Sequence, residues 1–318
     1  MELSLQQTFL AVFGGLALLA GGASVLVHRL MVRTTDPDKL TWIGQLNSRL
    51  QASWLILLLF AVGFALGEVA LAVIFALASF FALREFVSLT PIKSSDHWAL
   101  VVAFYLVIPA QYLLLGFGRA SVFATFIPVY IFLLLPVVVA IRQDNERFLE
   151  RVAKVQWGLM ISVYCISHAP AIATLPIKGY EGRGPLLLLF FLLVLFLTDL
   201  LQIIFSAMLD GRALKSNPNK TAKGVLAGSA CGALIGTLLW WMTPFTWWQA
   251  LIMSLVIVGT GYLGSVVLAA VKQSLGARLW DTEFELTRGV LERLDALTFA
   301  APLFWQITRY FWVIRADV

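Results

Sequence analysis

The chain has 318 residues, 60% of them apolar and 13% charged, with a formal net charge of +5. A soluble domain usually carries about 25% charged residues, so the composition excludes an ordinary water-soluble globule and has room for about ten apolar spans of ~20 residues. Lys and Arg sit in gaps between apolar runs, with no basic stripe interleaved with aromatics, which excludes nucleic acid as a partner and fits the anionic headgroups of a lipid bilayer.

The first apolar run covers 8–27. The residues before it hold no Lys or Arg, unlike the basic start of a cleaved leader, so it is expected to be a retained span. The next two runs, 54–66 and 69–83, are joined only by Gly67 and Glu68. One continuous helix would leave Glu68 in mid-bilayer, whereas Gly67 can turn the chain, so a tight helical hairpin is expected. Further runs follow at 99–117, 123–141, 155–173, 185–209, 224–242, 249–271 and 296–314. Cys165 and Cys231 lie inside such runs without a CxxC partner, as packing residues do, which argues against a disulfide framework or a zinc site. The expected fold is an all-α, polytopic integral membrane protein with about ten transmembrane helices. Residues 1–53 would form the first helix and its cytoplasmic connection, and 54–318 the main transmembrane domain.

Of the 23 Lys and Arg residues, 18 fall in alternate connections, beginning with the one after the first span, and five fall on the other side. By the positive-inside tendency, both termini are expected outside and the five basic connections in the cytoplasm. Trp240, Trp241, Trp247 and Trp248 flank the uncharged connection around Pro244, and Trp305 and Trp312 lie near the outer end of the last span. All six read as interface anchors. Gly224, Gly228, Gly232 and Gly236 recur every fourth residue, a face on which another helix can pack closely.

Ionisable groups within spans are functional candidates, because burying them costs several kcal/mol. Asp199 lies ten residues from the end of the seventh run, ~15 Å deep at ~1.5 Å per residue, and Gln202 shares its helical face. A carboxylate at that depth needs a cation, a metal or a proton. His168, just before Pro170, reads as a hydrogen-bonded structural group. Two polar connections stand out. Residues 210–223 carry several lysines and lead into a helix start, where phosphate can bind. In 272–295, Leu286, Val290, Leu294 and Leu297 repeat at helical spacing, so its latter half is expected to be an amphipathic surface helix. Glu292, Arg293 and Asp295 would line its polar side, two carboxylates and a guanidinium that can hold Mg²⁺ and phosphate together.

These connections resemble a known family. Asn217-Pro218-Asn219-Lys220-Thr221-Ala222-Lys223-Gly224 is similar to the Ser-Pro-x-Lys-Thr-x-Glu-Gly element of the phosphatidate cytidylyltransferases, the CDP-diacylglycerol synthases. The family's C-terminal signature aligns without a gap on Gly264-Ser265, Lys272 to Leu279, and Leu286 to Asp295. Arg84-Glu85-Phe86 resembles its early cytoplasmic element, and Thr198-Asp199 with Gln202 its intramembrane acidic one. Lys220, Thr221, Gly224, Lys272, Gly276, Arg293 and Asp295 match, while Arg278 stands for Lys and Glu292 for Asp. Ser265 and Leu279 replace motif Asp residues, Gln273 a basic residue, Thr287 the His, and Lys223 the Glu.

The resemblance implies transfer of a cytidylyl group from CTP to phosphatidic acid, giving CDP-diacylglycerol in phospholipid biosynthesis. It implies Lys220, Lys272, Arg278 and Arg293 as catalytic charges on phosphate. Thr221, Gly224, Gly276 and Gly289 would bind substrate, and Asp199, Glu292 and Asp295 would hold Mg²⁺, with Asp281 a candidate replacement for the lost motif Asp. The expected location is the bacterial inner membrane. A homodimer, or association with a partner enzyme of phospholipid synthesis, is the candidate assembly. The alternative reading is a catalytically silent relative that binds lipid or nucleotide or supports a partner enzyme.

Overall fold

The computed structural model describes residues 5–33, 54, 57–90, 97–141, 146–209, 211–214, 217, 220–275 and 289–314. The chain divides into two compact units, Met1–Ile74 and Phe75–Val318. The described residues are almost wholly helical, as the period and length of the apolar runs require. The helices are α1 (Leu5–Arg33), α2 (Leu57–Leu66), α3 (Glu68–Ser88), α4 (His97–Gly116), α5 (Ala120–Ala140) and α6 (148–173). After them come α7 (Gly184–Met208), α8 (Ala222–Leu238), α9 (Trp247–Ser274), the short turn α10 (Val290–Arg293) and α11 (295–314).

Every apolar run predicted as a span lies on a helix. Among the described residues, six helices are long and apolar enough to cross a membrane: the 9–29 part of α1, then α3, α4, α5, α7 and α9. Two others, α2 and α8, are apolar but shorter. The chain therefore has the helices of a membrane protein.

In the first unit, Gly67 sits at φ +93° between α2 and α3. A side chain on Gly63 would overlap Leu71 at 2.9 Å and Ile74 at 2.8 Å. On one straight helix, residues eight and eleven positions apart would be ~12–16 Å away along the axis, so α2 and α3 fold back on each other as the expected hairpin. The Phe9 and Phe13 rings stack on Phe64 at 5.2 and 5.6 Å.

In the second unit, one layer of core is built from Leu83, Val107, Ile127, Leu135, Val155 and Leu159 with their neighbours. It joins α4, α5, α6 and the end of α3. His168 on α6 behaves as the structural group expected: Nδ1 is 2.7 Å from the Tyr164 carbonyl, and its ring is enclosed by Phe123, Tyr164 and Trp305. Trp305 departs from the expected interface belt. It is 2% exposed, and its indole Nε1 donates to the Ala171 carbonyl at 3.1 Å. Packing between α11 and α6 overrides the position of Trp305 near a helix end. Trp240, Trp241, Trp247 and Trp248 are instead all about half exposed, as belt residues would be. Both cysteines are free thiols.

The expected amphipathic helix ending the 272–295 connection is not continuous. Gly289 (φ +48°) starts α10, and Leu294 (φ −103°, ψ 10°) breaks the path before α11. Leu291 and Leu297 are fully buried, whereas Val290 and Leu294 are only partly so. The break re-aims the chain, so that full burial falls on Leu291, off the predicted stripe, and on only one of the stripe's described members, Leu297. Leu286 lies outside the described residues.

Candidate active site

The glycine repeat of α8 packs on α7. A Cβ on Gly224 would overlap the Ser206 backbone at 2.5 Å, and on Gly228 the Gln202 amide nitrogen at 2.5 Å. On Gly232 it would overlap Thr198 Oγ1 at 1.9 Å, and on Gly236 Val194 at 2.9 Å. The contacts step up one helix as they step down the other, so the pair is antiparallel and near van der Waals closure along its length. Only glycine permits that approach. The face of α7 it covers is a polar stripe, Thr198, Gln202 and Ser206, at four-residue spacing.

The loop between these helices folds back to deliver Lys220 to that stripe. The Leu214 amide donates to the Lys220 carbonyl at 2.8 Å, and the Lys220 amide to the Asn217 carbonyl at 3.1 Å. A single bridge pairs Ala213 with Thr221. Thr221 caps α8, its Oγ1 accepting the Gly224 amide at 3.1 Å, while its own amide donates to Ser206 Oγ at 2.9 Å. With its own backbone and that of Thr221 pinned, the Lys220 side chain lies buried at 4% exposure. Its Nζ donates to Asp199 Oδ1 at 2.5 Å and to Gln202 Oε1 at 2.8 Å. Gln202 Nε2 in turn donates to Ser229 Oγ at 3.0 Å, which fixes the amide so that its oxygen faces the lysine. The Asp199 side chain keeps 40% of its exposure, so this ion pair is closed on the lysine side and open on the carboxylate side.

A second carboxylate approaches from α11. Asp295 accepts the Ala296 amide at 2.6 Å and is hydrogen-bonded to Ser265 of α9, and it lies within electrostatic reach of both Asp199 and Lys220. Close packing makes this convergence possible. A Cβ on Gly264 would stand 2.9 Å from the Asp295 carbonyl, and one on Gly261 would stand 2.8 Å from Leu195 of α7. Residues from α7, the loop before α8, α9 and α11 thus meet at one place: Asp199, Gln202, Lys220, Ser265 and Asp295.

The remaining predicted residues stand as follows. Lys272 is in the last turn of α9, seven positions and about two turns beyond Ser265. Arg293 ends α10, with its amide on the Gly289 carbonyl at 3.0 Å. Gly289 takes the positive φ that starts this turn. Glu292 lies in α10, but its side chain is outside the described set, as are Gly276, Arg278, Leu279, Asp281 and Thr287. Ser206 and Ser229, which hold the loop and Gln202, were not singled out from the sequence. The four-residue step from Thr198 through Gln202 to Ser206 was the available signal for the first; none marks Ser229.

Residues 47–311 match the cytidylyltransferase family. The chain belongs to that family. It is 32% identical over 273 residues to the uncharacterized protein YnbB of Escherichia coli, covering 84% of this chain and 88% of that protein. It is 26% identical over 157 residues to the phosphatidate cytidylyltransferase of Staphylococcus saprophyticus, and 25% identical over the same length to that of Staphylococcus aureus. These two matches each cover 48% of this chain and 60% of the enzyme. In this cytidylyltransferase-family member, among the described residues, no three His, Cys, Asp or Glu side chains cluster as a metal cage. Two coupled carboxylates, Asp199 and Asp295, are nevertheless what Mg²⁺ takes when substrate phosphates and water complete its shell. The two residues fit a divalent metal ion whose shell is completed from outside the protein.

Proposed function

We propose that the protein is a membrane nucleotidyltransferase of phospholipid biosynthesis, forming CDP-diacylglycerol and pyrophosphate from CTP and phosphatidic acid. The observation that supports this most is the buried Lys220 ammonium, oriented by Asp199 and Gln202 beside a second carboxylate, Asp295. An ammonium has three donors. Two are used in this clamp, and the third is assigned to a phosphate oxygen that approaches from the open, Asp199 side of the pair. In the reaction a phosphatidate oxygen bonds to the α-phosphorus of CTP, the bond from that phosphorus to the bridging oxygen breaks, and pyrophosphate leaves with the electron pair. Lys220, Lys272, Arg278 and Arg293 are assigned to neutralising phosphate charge, and Thr221, Gly224, Gly276 and Gly289 to the backbone around it. Asp199, Asp295 and Glu292 would hold Mg²⁺, which when bound spreads the triphosphate charge and polarises the α-phosphorus. Burial of the Lys220 side chain strengthens its interactions relative to water.

A second reading rests on Ser265. Where the family motif carries Asp, this chain offers a hydroxyl that bonds Asp295, so one formal charge is missing from the metal-binding set. A relative that binds lipid or nucleotide without turnover, or supports a partner enzyme, is the corresponding function. One assay separates the two: purified protein with labelled CTP, phosphatidic acid and Mg²⁺ forms liponucleotide under the first reading, and binds substrate without product under the second.

The rest of the reading concerns placement. We propose about ten spans, with residues 1–53 as the leading helix and its connection and 54–318 as the transferase domain. Both termini would lie outside, the loops 210–223 and 272–295 in the cytoplasm, and the whole in a bacterial inner membrane, as a homodimer or beside another enzyme of phospholipid synthesis. The distribution of 18 basic residues against five supports this orientation.

A further inference from the structure

Glu85 lies near the end of α3, 206 positions before the residue it holds. Its Oε2 accepts the backbone N–H of Leu291 at 3.1 Å, and Glu85 is only 6% exposed. Leu291 is the second residue of α10, and the first amides of any helix have no partner within the helix. The acceptor therefore comes from another element. The approach on the α3 side is also fixed. A Cβ on Gly158 of α6 would stand 2.8 Å from the Phe86 ring and 3.4 Å from Leu83, so Phe86 seats directly on the Gly158 backbone. On the α10 side, Leu291 is fully buried and Gly289 takes a positive φ, so the turn has one seat. From Leu291 the chain runs four residues to Asp295, with Arg293 between. We propose that Glu85 is a positioning residue of the active site: its carboxylate latches the α10 turn, and through it sets where Arg293 and Asp295 stand relative to Lys220 and Asp199.

A buried carboxylate costs several kcal/mol when unpaired, and a buried amide deprived of its acceptor is likewise unfavourable. The one contact supplies the amide with its acceptor and engages Oε2 of the carboxylate. The latch needs an acceptor at position 85 and does not need to touch substrate. It rests on the transferase reading for its consequence, but not for its existence.

The test uses the full chain in detergent or nanodiscs, with Glu85→Ala, which removes the acceptor, and Glu85→Gln, which keeps a carbonyl oxygen. Amide hydrogen exchange across 289–296 is read with thermal unfolding as the control of folding, and kcat and KM for CTP are measured in parallel. The expected result is at least tenfold faster exchange in that segment for Glu85→Ala, with exchange along α7 and α8 unchanged. Turnover should fall at least tenfold in kcat with KM for CTP within about threefold, and Glu85→Gln should recover most of both. Unchanged exchange at 289–296 in a folded Glu85→Ala protein overturns the latch. Faster exchange with unaltered kcat overturns its positioning role, and so does a Glu85→Gln protein as impaired as Glu85→Ala. A wild-type protein with no turnover fails the transferase reading instead, and exchange alone then decides the latch.

Discussion

A buried ammonium needs a counter-charge, and at Lys220 that counter-charge is Asp199, with Gln202 taking a second donor. If the lysine serves phosphate, Lys220→Ala should weaken CTP or phosphatidate binding by about 1–3 kcal/mol, the size of a lost charge-assisted hydrogen bond; calorimetry on the folded variant checks this, and unchanged affinity would make the lysine purely structural. Because the pair works as a unit, Asp199→Asn and Lys220→Ala should be non-additive in stability, with a coupling of ~0.5–3 kcal/mol. Independent effects would show that the carboxylate does not hold the lysine. Ser265 allows a sharper test. Replacing it by Asp sets a second carboxylate against Asp295, and like charges at contact demand a cation. Ser265→Asp should unfold at lower temperature than the wild type without Mg²⁺ and regain stability as Mg²⁺ is added, by about 2.7 kcal/mol at a hundredfold excess over Kd. A variant indifferent to Mg²⁺ would mean that the site geometry no longer matches a metal. Asp199 was legible in sequence because an ionisable residue among apolar ones is conspicuous, and Lys220 and Asp295 because they stand at matching positions of the family's motifs. Their pairing was not, since Lys220 could equally have been a solvated member of a basic loop until the backbone turned it inward.

At the level of elements, the helix pair α7–α8 carries the site because its backbones nearly touch. The overlaps differ in kind, and that difference predicts a ranking. A methyl on Gly232 meets a hydroxyl of Thr198, which can rotate, whereas a methyl on Gly228 meets backbone atoms of Gln202 at 2.5 and 2.6 Å. Gly228→Ala should therefore force the helices apart and destabilise by at least ~1–3 kcal/mol, with loss of the Lys220 clamp. Gly259 on α9 has nothing within 4 Å of a built Cβ. There the same change removes the conformational penalty of glycine in a helix, worth about 0.8–1.0 kcal/mol. Thermal unfolding of the two variants should move in opposite directions; equal shifts would show that the glycine face is not a contact. The four-residue glycine period announced such a face, and the pair Gly67-Glu68 announced the hairpin, because each rests on local stereochemistry. The helix expected over the end of the 272–295 connection failed for the complementary reason. Its apolar spacing was real, but full burial went to Leu291, off the stripe, and to Leu297, while Val290 and Leu294 stayed partly buried and the chain broke at Leu294. Trp305 was misread in the same way, its burial depending on Ala171 and His168, more than a hundred residues earlier.

For the whole molecule, the proposed reaction would impose a geometry on the membrane. CTP is a highly charged, water-borne substrate and phosphatidic acid a bilayer lipid, so the site must open to water at the face where nucleotide is available and still reach the headgroup level. Asp199 lies nine residues from the end of α7, ~14 Å along its axis, yet Lys220 reaches it from the loop. The clamp therefore connects the water-facing end of the bundle with its interior. That arrangement serves a cytoplasmic nucleotide only if the loop before α8 faces the cytoplasm, which is also the side to which the basic connections are assigned. The opposite face is then represented by residues 174–183, a connection pinned where the Tyr180 hydroxyl donates to the Met242 carbonyl. Lys178 and Lys223 are both exposed and thus report opposite sides. In a chain whose two native cysteines are replaced, Lys223→Cys should react with an impermeant maleimide only in inverted vesicles, and Lys178→Cys only in intact cells. The reverse pattern would invert the topology, and labelling of both from one side would mean that α7 does not cross. The reverse pattern would leave the fold and the family standing, but would place the lysine clamp where no cytoplasmic CTP could reach it.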